Sequence, residues 1–200
     1  MKFYKLISVV LHPIVIPTIG VMLYFLAIPN NFENKQKLSI LSLVFIATYF
    51  IPILILVLFK KLKLIDSYKT KSIHERKLPI VLMIGVFYLL GNTIENIQNL
   101  NDLTLLFFST SLGLMIVYLL FYFQIKASIH LFTFGIFTGF FMAMSISYRQ
   151  SFLVIILIIL FLSGIVASAR LHLKAHTQRE VYLGFFIGLM LPILGIFILQ

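Results

Sequence analysis

The apolar residues of this chain gather into seven long runs, near residues 5–28, 38–59, 78–94, 103–125, 128–147, 151–168 and 181–199. Each is close to the roughly 20 residues that cross a bilayer as a helix. Seven such spans consume most of the 200 residues, so any chemistry must be built from helix ends and short connections. The pattern predicts an all-α polytopic transmembrane bundle forming a single membrane domain over residues 1–200, with the more polar connections between 60 and 200. About seven spans are expected, or six if the third run, which is short and drifts into Asn92-Thr93-Ile94-Glu95-Asn96, fails to cross.

Composition agrees with the pattern. The chain is 61% hydrophobic and 11% charged, with a mean hydropathy of +1.09, whereas soluble domains carry roughly a quarter charged residues. Lys2 and Lys5 precede the first run as in a signal peptide, but the run is too long and no small-residue cleavage pattern follows, so it is expected to stay in the membrane. His12-Pro13 and Pro17 lie inside it, where neighbouring helices can re-satisfy freed carbonyls, and His12 reads as structural. The absence of cysteine excludes disulfides, thiolate metal sites and a thiol nucleophile. Ser109, Ser111, Gly113, Gly135, Gly139 and Gly164 read as contact points between close helices.

Three polar stretches stand out: residues 60–77, the junction Lys126-Ala127-Ser128-Ile129-His130, and residues 168–180, which contain Arg170, His172, Lys174, His176, Arg179 and Glu180. With seven spans, all three emerge on the side of the N-terminus. That side then holds all but Lys35, Lys37 and Arg149 of the 16 lysines and arginines. By the positive-inside rule it is the cytoplasmic side, expected here to be that of a bacterial inner membrane. The formal charge of +10 sits beside spans, without a separate basic domain, and therefore points to membrane lipid or a phosphorylated ligand and away from nucleic acid.

Bases, histidines and a carboxylate beside a bilayer suit a lipid-linked phosphate whose tail stays in the membrane. Bases give charge-assisted hydrogen bonds to phosphoryl oxygens, and histidine can attack or protonate near neutral pH. Glu180 follows His176 by four residues, so a helical start to the last span would let the carboxylate hold the imidazole N–H. The spacing of His172, His176 and Glu180 also allows a metal site, which the surrounding bases disfavour.

These residues resemble the motifs of the type 2 phosphatidic acid phosphatase superfamily. Its third motif, Ser-Arg, five residues, His, three residues, Asp, is similar to Arg170, His176 and Glu180 at the same spacing. Its second, Pro-Ser-Gly-His, is similar to Ala127-Ser128-Ile129-His130, and its first, Lys, six residues, Arg-Pro, to Lys69, Arg76 and Lys77. The resemblance implies a metal- and cofactor-free enzyme with a phosphatase-like helical core. His176 would be the nucleophile, Glu180 its support and His130 the group that protonates the leaving alkoxide. Lys69, Arg76, Ser128 and Arg170 would hold the phosphoryl oxygens. The substrate implied is a lipid phosphate or pyrophosphate, such as phosphatidic acid, phosphatidylglycerol phosphate or an isoprenyl phosphate. The chain departs from the motifs at Lys77, Ala127, Ile129, Ala169 and Glu180. The alternatives are a degenerate relative that binds lipid phosphate without turnover, and a small transporter, which the near absence of ionisable residues inside the spans disfavours.

Overall fold

The computed structural model describes residues 2–65 and 72–199. These form helices α1 (Lys2–Val10), α2 (Ile16–Ala27), α3 (Asn34–Phe45), α4 (Ile51–Lys61), α5 (Ile73–Glu95), α6 (Asn101–Leu120), α7 (Ile129–Ser147), α8 (Leu153–His172) and α9 (Gln178–Leu199), with no strand among the described residues. A π-helical turn, Ile46–Phe50, joins α3 to α4 in one rod of 28 residues. It precedes Pro52, which has no N–H to offer the Thr48 carbonyl. Six helices among the described residues are long and apolar enough to cross a bilayer. The chain is an all-helical integral membrane protein.

The expected first span is instead two helices. Pro13 supplies no N–H and its ring would collide with the Val9 carbonyl, so α1 stops after the Leu11 N–H reaches Ile7 at 2.9 Å. The His12 carbonyl then accepts from Val15 and Ile16 at 2.9 and 3.3 Å. Pro17 falls in the first turn of α2, where a missing N–H costs nothing. The pair still runs from one end of the bundle to the other: Ser8 lies beside His130 at the start of α7, and Tyr24 beside Asp102 at the start of α6.

The third span begins earlier than its apolar run. Ser72 Oγ accepts from the Glu75 N–H and the Glu75 carboxylate accepts from the Ser72 N–H, both at 3.2 Å. This capping box starts α5 at Ile73, so Arg76 and Lys77 sit within the start of a helix rather than in a loop. At 23 residues the helix is long enough to cross.

α7 and α9 approach until their backbones touch. A Cβ on Gly135 would lie 2.1 Å from the Phe185 carbonyl oxygen, and one on Gly188 2.2 Å from that of Phe132. Gly139 meets Leu189 in the same way, whereas Gly164 has nothing within 4 Å and does not sit at a helix contact. At the end remote from the polar stretches, Asp102 Oδ2 accepts from Tyr24 Oη at 3.2 Å and from Tyr148 Oη at 2.6 Å. Burial, with that bond, pushes the Tyr148 phenol up to about 12, so it remains a donor.

Candidate active site

Two helix starts face each other at the polar end of the bundle. At the start of α9, Glu180 N–H donates to Thr177 Oγ1 and Thr177 N–H to Glu180 Oε2, both at 3.3 Å, which fixes the carboxylate over the first turn. The same oxygen lies 2.7 Å from His176 Nδ1. A carboxylate only accepts, so Nδ1 carries the proton and Nε2 keeps its lone pair. His176 is buried, and its side chain is only 2% exposed. Burial first, then the charges of Arg76 and Arg170, pull its pKa down to about 4 against the opposing pull of Glu180. The imidazole is neutral at physiological pH, the state in which a nitrogen can attack.

At the start of α7, the Ser128 N–H donates to the Glu180 carbonyl at 2.9 Å and joins the two helix starts directly. Gly184 permits this approach, because a Cβ there would stand 2.5 Å from the Ser128 carbonyl oxygen. His130, two residues on, is buried and places Nε2 at 3.2 Å from the Ser8 carbonyl oxygen, so Nε2–H is the donor. The His12 ring meets His130 edge-on at a centroid distance of 5.0 Å.

Arg170 arrives from the last turn of α8 and donates from Nη1 to Ser8 Oγ at 2.9 Å. Its Nε and the Ser128 hydroxyl are both buried without a hydrogen-bond partner. A buried donor left unmade is costly, and ligand sites are among the places where proteins accept that cost. Arg76 lies near enough to Glu180, Arg170 and His176 to bear electrostatically on each.

No family model, curated protein or solved structure matches this chain.

The geometry of the site therefore stands on its own residues. Of those expected from the sequence, Arg76, Ser128, His130, Arg170, His176 and Glu180 are brought together, while Lys69 lies outside the described residues. His172 turns away and stacks on Tyr4 at 4.3 Å, so its spacing from His176 and Glu180 does not gather the three. Among the described residues no group of three or more His, Cys, Asp or Glu is placed to hold a metal. Lys77 points its ammonium at the Tyr122 ring, 5.8 Å away, and Ala169 is fully buried.

Sequence reasoning missed the N-terminal segment. Ser8 carried no signal, being one hydroxyl in an apolar run. His12 did carry one: an imidazole beside the proline that ends a helix is held at a break, and this break puts it against His130.

The cluster can do three things chemically. Arg170, Arg76 and the first turn of α7 offer positive charge and N–H groups to an anion. His176 offers an unprotonated nitrogen fixed in one tautomer, and His130 offers a second imidazole that can exchange a proton.

Proposed function

We propose that the protein is a membrane-embedded phosphatase that hydrolyses a lipid-linked phosphate or pyrophosphate through a phosphohistidine. The observation that carries the reading is the His176–Glu180 contact, a buried neutral imidazole with its tautomer fixed, under the influence of two arginines. The motif resemblance to type 2 phosphatidic acid phosphatases supports it.

In the first step His176 Nε2 forms a bond to phosphorus as the bond from phosphorus to the alkoxide oxygen breaks, and His130, in its protonated form, gives a proton to that oxygen. Arg76 and Arg170 balance the charge on the equatorial oxygens, where most of the catalysis of phosphoryl transfer resides. In the second step water attacks phosphorus, His130 takes its proton, and inorganic phosphate leaves as His176 is restored. The excess of lysines and arginines at this end of the bundle supports a site on the cytoplasmic side of a bacterial inner membrane.

The test is phosphate release from lipid phosphates by the purified protein in detergent. His176→Ala and His130→Ala each abolish it on this reading, and wild-type rates in either variant would end the mechanism. One observation favours a second reading, a phosphate-binding relative without turnover: Ser8 engages both His130 Nε2 and Arg170 Nη1. Binding of inorganic phosphate without release from any lipid phosphate would select it.

A further inference from the structure

Beneath the polar cluster lies a cavity of about 130 Å³ with an almost wholly apolar lining. Apolar voids of this order stay dry and accept apolar guests. Prolines from three different parts of the chain line it, Pro13 and Pro17 from the broken N-terminal pair, Pro52 from α4 and Pro79 from α5. Each interrupts a helical hydrogen-bond ladder or sits at its start, so the cavity is ringed by places where helices deviate from regular packing.

Its walls continue the helix faces that bear the site. On α5, Ile80, Met83 and Phe87 line the cavity, and they follow Arg76 at the spacings that keep one helix face. On α7, Ile129, Thr133 and Ile136 line it, and Ile129 stands between Ser128 and His130. In the N-terminal pair the lining begins at Pro13, directly after His12, whose ring touches His130. Three separate walls thus end, at the same side, in Arg76, His130 and His12. From Ile129 to Phe137, the last lining residue on α7, eight residues at 1.5 Å rise make the cavity about 12 Å deep. Phe87 and Phe107, stacked at 6.3 Å, belong to its far end.

We propose that this cavity holds the head-proximal part of the hydrocarbon chain of the phosphorylated lipid, so that the enzyme measures the tail between its own helices. The proposal rests on the reading of the polar cluster as a phosphate site and adds what lies below it. Ile129, which replaces the glycine of the phosphatase motif, then acquires a use as the apolar step between head and tail. The bounded depth sets a limit: affinity rises with chain length while methylenes enter the cavity, by about fourfold for each one buried, and flattens once it is full.

The experiment measures binding of inorganic phosphate, butyl phosphate and octyl phosphate to the full chain in lipid nanodiscs, with octanol as the control without a head group. Thr133→Phe from α7 and Thr48→Leu from the opposite wall fill the cavity independently. The expected result is that octyl phosphate binds at least tenfold tighter than butyl phosphate to the wild type. That advantage shrinks in both filled variants, while inorganic phosphate binds all three proteins alike, which also shows them folded. An octyl advantage that survives both substitutions would place the chain in bulk lipid and overturn the proposal, as would octanol binding as tightly as octyl phosphate. Failure of inorganic phosphate and both alkyl phosphates to bind the wild type would instead overturn the phosphate reading of the cluster itself.

Discussion

The amide of Ser128 donates to the carbonyl of Glu180 at 2.9 Å, a backbone bond between residues that open two different helices. Through it Glu180, which holds His176, and the first turn that carries His130 are joined. That junction depends on a glycine.

Gly184→Val puts a branched side chain where a single Cβ would already stand 2.5 Å from the Ser128 carbonyl oxygen. The helices must separate, at a cost of about 1–3 kcal/mol, and the Ser128–Glu180 bond goes with them. A lowered melting temperature in detergent and loss of phosphate release are expected together. Gly164→Ala, with nothing within 4 Å, leaves both intact or raises the melting temperature slightly.

The depressed pKa of His176 makes stability depend on pH in a defined direction. In the unfolded chain the imidazole takes a proton near 6.5, and in the folded protein only near 4. Between those values the unfolded state binds more protons, so stability rises with pH across the window and is lost as pH falls through it. Melting curves between about pH 7 and pH 4 are expected to show this decline, and His176→Phe to flatten it. An unchanged slope in the variant would assign the decline to other groups.

Ser8→Ala removes the acceptor of the Arg170 Nη1 bond, which a phosphoryl oxygen must replace. A charged donor released from that bond favours the ligand by about 1.5 kcal/mol or more. Inorganic phosphate is expected to bind the variant about tenfold tighter, as read by calorimetry on the detergent-solubilised protein. Weaker binding would mean that Ser8 holds Arg170 in position.

Glu180→Gln keeps the length of the side chain but not its charge, and an amide can present its N–H₂ to His176 Nδ1 as readily as its oxygen. The fixed tautomer is then lost. Phosphate release is expected to fall about a hundredfold or more with little change in melting temperature. Wild-type release in this variant would remove Glu180 from the mechanism.

Hydropathy made the helical class and the positions of the spans legible, because crossing a bilayer demands long apolar runs whatever the tertiary packing. The polar side chains of the cluster were legible for a related reason: charge beside a span must collect at an end, and counting spans puts the ends on one side. Helix starts were misread where polar residues belong to a helix, as with Arg76 and Lys77 in α5, because the capping pair Ser72 and Glu75 starts the helix before its apolar run begins. The break at Pro13 was missed for the opposite reason, since proline is tolerated in some membrane helices and only packing decides which. Ser8 could not be read at all, because its part in the site comes from a contact across 122 residues to His130.

The carboxylate of Asp102, gripped by Tyr24 and Tyr148, lies at the end of the bundle away from the cluster. It ties three separate parts of the chain to one acceptor. The N-terminal pair, α6 and the end of α7 cannot part there without giving up two phenol bonds to a shared acceptor. One end of the bundle is therefore fastened by side chains to a single carboxylate, while the end at the histidines is fastened by the Ser128–Glu180 backbone bond and by Ser8.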